Sequence, residues 1–96
     1  MKELQKEFDG RGEVKGTRFV QRLANEYAFL YECFPDNSAP YFEVFKRKEN
    51  NYFECVSFPT SKAFGRWAWT THSASRAREI FDNITKKSRS QLNAAG

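Results

Sequence analysis

Tyr27-Ala28-Phe29-Leu30-Tyr31-Glu32-Cys33-Phe34 alternates with a period of two, the spacing of side chains on a β-strand. Tyr27, Phe29, Tyr31 and Cys33 share one side, and Leu30 and Phe34 share the other. Pro35-Asp36-Asn37-Ser38 ends the run with residues that favour turns, and Asn25-Glu26 precedes it as a second turn. Residues 14–23 form the strand before it, with Thr17, Phe19, Gln21 and Leu23 on one face and Arg18, Val20 and Arg22 on the other. Residues 41–48 form the strand after it, where Phe42 and Val44 alternate with Tyr41, Glu43 and Phe45. Glu49-Asn50-Asn51 makes a hairpin connection, because Asn tolerates left-handed backbone angles. A fourth strand over residues 52–58 stops at Pro59, which cannot donate to a ladder. Residues 60–65 are expected as loop. Residues 66–71 are expected as a short fifth strand or extended segment, placing Trp67 and Trp69 on one face.

The period then changes. Ala77, Ile80, Phe81 and Ile84 fall at i, i+3, i+4 and i+7 and give one helical apolar stripe. Ser73 or Ser75 can cap its start, and Lys86 and Lys87 suit the negative end of its dipole. A four- to five-stranded antiparallel meander with one C-terminal helix on it is an α+β domain of two layers. Residues 1–12 read as a flexible polar segment, 13–87 as the single domain, and 88–96 as a mobile tail.

Ninety-six residues suffice for one core. Ten Phe, four Tyr and two Trp give it large rings to bury, so that it can stand without metal or disulfide staples. Cys33 and Cys55 lie in strand-like segments and are expected as reduced, small apolar residues. The charged start Met1-Lys2-Glu3-Leu4-Gln5-Lys6-Glu7 lacks the apolar core of a secretory signal, and no run approaches a membrane span. A cytoplasmic location is expected, with no membrane partner.

Catalytic signals are weak. His72 is the one histidine, and no Ser/His/Asp, Cys/His or paired-carboxylate arrangement accompanies it. The glycines lack the Lys-Ser/Thr of a phosphate loop. No cofactor, metal site or enzymatic activity is expected.

Binding signals are stronger. The net charge of +4 permits an anionic partner. Lys15, Arg18, Arg22, Lys46, Arg47, Lys48 and Arg66 are candidate phosphate contacts, and Phe19, Phe29, Tyr31 and Trp67 are candidate stacking faces. Lys15-Gly16-Thr17-Arg18-Phe19-Val20 resembles the basic–Gly–aromatic–Gly–aromatic–aliphatic strand motif of RNA-recognition and cold-shock domains at four of its six positions. Thr17 and Arg18 depart from it, and Ala28-Phe29-Leu30-Tyr31 follows at the distance of a second aromatic motif. Phe64-Gly65-Arg66-Trp67-Ala68-Trp69, before a helix with Ala77 and Phe81, is similar to the WGR module of DNA-repair proteins. The first resemblance implies contact with nucleic acid; in the second, Phe64 stands where the module has Trp, and the chain is short for it.

Four segments together (residues 12–16, 41–48, 55–59 and 64–69) look like small proteins of bacterial phages and conjugative elements. That resemblance implies stoichiometric action on host machinery, such as inhibition of a CRISPR effector. The expectation is therefore a binding protein for nucleic acid or a nucleoprotein, with a protein-directed inhibitor or adaptor as the alternative. An open strand edge would also admit a homodimer.

Overall fold

The computed structural model describes residues 1–95. Among them are seven strands and one α-helix: β1 (Glu7–Asp9), β2 (Thr17–Ala24), β3 (Ala28–Pro35), β4 (Tyr41–Lys46), β5 (Glu49–Asn50), β6 (Cys55–Val56), β7 (Ala68–Thr71) and α1 (Ala74–Ala95). The main sheet is five-stranded and antiparallel, in the order β1-β2-β3-β4-β7, while β5 and β6 form a separate two-stranded ribbon. The α+β architecture with an antiparallel sheet and a C-terminal helix is thus as its sequence indicates.

The helix covers one sheet face. Ala77, Phe81 and Ile84 are buried against Ala28, Leu30 and Val44, with Leu23, Phe42, Trp69 and Ile80 at the margin. Ser73 caps the helix: its Oγ accepts from Arg76 N at 3.1 Å, and its carbonyl accepts from Ala77 N at 2.9 Å. Asn25 joins the β2–β3 turn to this layer. Its Oδ1 accepts from Tyr27 N and Ala28 N, and its Nδ2 donates to Thr85 Oγ1 at 3.0 Å.

The opposite face is covered by the chain itself, which the strand pattern did not anticipate. Phe19, Phe29, Tyr31, Cys33 and Phe45 pack there beneath Val56, Phe58, Ala63, Phe64 and Trp67, with Leu4 and Phe8 closing one side. Phe58 sits at the centre, edge-on to Phe8, Phe19, Tyr31 and Phe45 at centroid distances of 5.1–5.5 Å. Such T-shaped pairs set the positive ring edge against a negative ring face. A sheet face this aromatic is too costly to leave in water, at roughly 25 cal/mol per Å² of apolar area. The long connection from β4 to β7 supplies the cover.

Several local expectations change as a result. The fourth strand does not join the main sheet: residues 51–54 are a turn, only Cys55–Val56 pairs, and its partner is β5. β7 takes the place beside β4. Trp67 precedes β7 and packs into the loop-covered core, whereas Trp69 packs under the helix, so the two indoles lie on opposite faces. A bulge between Gln21 and Leu23 moves Leu23 from the face of Phe19 to the helix side.

Residues 1–12 are built in. β1 pairs with β2, the Tyr31 hydroxyl donates to the Gln5 carbonyl at 2.6 Å, and Lys2 bridges to Cys55 of β6. At the other end, helical backbone continues past Lys87 to Ala95 through the stretch read as a tail. Arg, Gln, Leu and Ala there are good helix formers, and no Pro or Gly interrupts them before Gly96. Gly96 lies outside the described residues.

Candidate functional site

The candidate contact residues fall into three groups, with Lys15 apart from all of them. Phe19, Phe29 and Tyr31 are at most 3% exposed. They belong to the loop-covered core and present no ring face to solvent, which corrects their assignment as stacking platforms. The arginines Arg18, Arg22 and Arg47 form the second group, and each already has carboxylate partners. Arg18 contacts Glu7 and Asp9, and Arg22 contacts Glu32 at 2.9 Å. Arg47 holds both oxygens of Glu3 at 2.7 Å and Glu49 at 3.0 Å. That planar fork keeps the Glu3 carboxyl below its usual range, mainly through the Arg47 hydrogen bonds. Arg47 therefore ties the N-terminal segment to the base of the β5–β6 ribbon.

The third group is assembled around Trp67. Lys46 N donates to the Trp67 carbonyl at 2.9 Å, and Lys48 Nζ stands 5.5 Å from the centroid of the indole. Arg66 is adjacent and exposed. None of Lys46, Lys48 or Arg66 has a carboxylate partner among the described residues. Trp67 itself is half-buried, edge-on to Phe45 at 6.3 Å. Lys15 is exposed but lies in the β1–β2 connection, apart from this cluster in the sheet order.

The most exposed rings escaped the sequence reading. Tyr52 and Phe53 are 86% and 70% exposed at the tip of the β5–β6 hairpin, and pack edge-to-face at 4.8 Å and 83°. Asn50 Oδ1 accepts from Tyr52 N and Phe53 N at 3.0 and 3.1 Å, which sets the turn. Glu54 completes it with φ of 51°. Read as a strand, Tyr52 and Phe53 must point to opposite faces; in a turn both can point outward. The signal was Asn50-Asn51 followed directly by two aromatic residues.

The base of this hairpin is held from two sides. Lys2 N donates to the Glu54 carbonyl and Val56 N to the Lys2 carbonyl, each at 2.8 Å. Ser57 N donates to the Lys48 carbonyl at 2.8 Å, so the Trp67 cluster and the hairpin share one support. The arrangement is a propped aromatic tip with unpaired cations at its root. Such an arrangement can serve as a contact surface, since Tyr, Trp and Arg are enriched where binding energy concentrates.

Nucleophile chemistry finds little support nearby. Cys33 is buried, and burial, then the charge of Glu43, pushes its thiol well above the usual range. Cys55 is also free. The exposed His72 ring donates through Nδ1 to the Pro40 carbonyl at 3.1 Å, since a carbonyl can only accept. Among the described residues no group of three His, Cys, Asp or Glu side chains is placed to hold a metal ion. No described helix is long and apolar enough to cross a membrane. No family model, curated protein or solved structure matches the chain.

Proposed function

We propose that this protein acts by binding, and that it docks the Tyr52–Phe53 hairpin tip onto a protein partner. The observation that carries this reading is the pair of rings left in water at the tip of a braced turn, in a chain that buries its other large aromatics wholly or in part. Leaving two rings exposed costs solubility and contributes nothing to the core. A partner pocket that takes them up gains their apolar area without ordering a loop, because the turn is already fixed. Lys46, Lys48 and Arg66 would form the polar rim of that contact and steer it toward an acidic surface. Inhibition of host machinery by stoichiometric capture is one activity such a module can perform.

The test is a capture experiment from bacterial lysate treated with nuclease, using the wild-type protein and the double variant Tyr52→Ala/Phe53→Ala in parallel. Wild type is expected to retain a partner at moderate salt. The variant should lose it by a hundredfold or so in affinity, taking two hot-spot rings at about 2 kcal/mol each with some non-additivity. Its thermal midpoint should be unchanged, since neither ring belongs to a core. Equal retention by both proteins would refute the reading. A partner retained only when the nuclease is left out would favour nucleic acid instead, with Lys46, Lys48, Arg66 and the exposed rings as its contacts.

A further inference from the structure

A second unexplained feature lies in β4. Glu43 stands opposite Tyr31 of β3 and Thr70 of β7, on the sheet face that the loop covers. The residue is 5% exposed, and its Oε2 has no hydrogen-bond partner. Among the described residues the chain matches Arg18, Arg22, Arg47, Arg76 and Arg78 to carboxylates, yet no cation pairs with Glu43. An uncompensated buried charge is among the costlier things a small domain can hold. Desolvation pushes Glu43 up to about 7, so the proton partly stands in for the missing counter-charge.

Glu43 also lines an open cleft of about 380 Å³ together with Tyr41, Phe64, Thr70, Thr71 and His72. Two walls are aromatic, Thr70 on the Glu43 face offers a hydroxyl, and no Lys or Arg is among the lining residues. An anionic ligand would meet the carboxylate with nothing to offset it. A neutral apolar ligand would leave Oε2 unsatisfied. We propose that this cleft binds an organic cation, an ammonium or guanidinium group, with Glu43 as counter-ion, Tyr41 and Phe64 as cation–π walls, and the Thr70 hydroxyl as a hydrogen-bond acceptor. The cation supplies both things Glu43 lacks, a donor and a positive charge, in a site of low dielectric where each counts for more. The proposal is independent of the hairpin's role.

Protonation should compete with the ligand. The titratable groups around Glu43 are Tyr31 and Cys33 on β3, Tyr41 on its own strand, and His72 just after β7. Tyr31, Cys33 and Tyr41 are all raised, chiefly by burial, Tyr41 to about 12, so they stay neutral over the range in which Glu43 titrates. His72 is separated from Glu43 by substitution.

The experiment follows backbone amide resonances of Thr70, Thr71 and His72 in the whole protein during titration with three probes: ethylguanidinium, spermidine and a short acetylated arginine peptide. Neutral ethylurea serves as control. At about pH 8 the cationic probes should give saturable shifts that ethylurea does not. Affinity should fall about tenfold or more at pH 5.5, and likewise in Glu43→Gln. His72→Gln should retain the loss at low pH. Tighter binding of the arginine peptide than of ethylguanidinium would place the cation on a protein side chain; preference for spermidine would make it a free polyamine. No saturable response at pH 8, or a response equal at both pH values, overturns the proposal even if Glu43→Gln fails to fold.

Discussion

Glu43 is the residue at which stability and pH meet. Its folded-state value of about 7 lies above the 4.5 of an exposed glutamate, so the native protein binds that proton more tightly than the unfolded chain does. The stabilising contribution of the protonated form is fully present below about pH 4.5 and is lost as pH rises through 7. Each tenfold change in an acidity constant is about 1.4 kcal/mol, so the loss is on the order of 3 kcal/mol by pH 8. Glu43→Gln removes the charge while keeping the shape. Urea unfolding should find the variant close to wild type at pH 5 and more stable than wild type by one to three kcal/mol, roughly, at pH 8. A variant less stable at both pH values would mean that Glu43 has an internal partner and is not a buried, unpaired acid.

The elements behave differently from the pattern that suggests them. Gly10 closes the turn after β1, and a side chain there would run into the Val14 carbonyl oxygen while sitting 2.9 Å from Val14 Cγ2 and 3.0 Å from Phe19 Cε2. Since one obstacle is backbone, Gly10→Ala should cost about 1–3 kcal/mol in urea unfolding and loosen amide protection in β1. An unchanged midpoint would return residues 1–12 to the flexible segment that their polarity suggests. Polarity misleads there because only Leu4 and Phe8 of that segment pack inward, too few to show a period. The helix stripe and the alternation of residues 27–34 were legible because each is a local repeat that burial then respected. Phe58 and Trp67 were not, because they sit in irregular chain folded over the sheet, where neither 2.0 nor 3.6 governs direction. The basic residues were legible as a set, but ion pairing with Glu3, Glu7, Asp9 and Glu32 is a matter of register and cannot be counted from composition. Tyr52 and Phe53 were misassigned for the converse reason: β-propensity is high in a segment that forms a turn, and tertiary bracing by Lys2 and Lys48 overrides it.

For the whole molecule, net charge overstates what is available to a polyanion. Of the seven cations the sequence nominates, Arg18, Arg22 and Arg47 are spent on internal carboxylates, while Lys15, Lys46, Lys48 and Arg66 have no such partner among the described residues. Internal surface pairs are individually weak, about 0–1 kcal/mol, so a strong enough ligand could open them. Counter-ion release makes the distinction measurable, because log affinity falls by about 0.9 per phosphate neutralised for each unit of log salt. Seven contacts would give a slope near −6, whereas the four unpaired cations give about −4 at most. Lys15 sits apart from the Trp67 cluster, so nucleic acid that engages only Lys46, Lys48 and Arg66 should give about −3 as a duplex and about −2 as a single strand. If the protein partner is the principal target, titration with labelled single- and double-stranded DNA and RNA should find weak binding with that shallow slope and little change in the Tyr52→Ala/Phe53→Ala variant. Micromolar or tighter binding with a slope near −6 would mean that Arg18, Arg22 and Arg47 leave their carboxylates for phosphate. Nucleic acid would then displace protein as the partner this surface is built to meet.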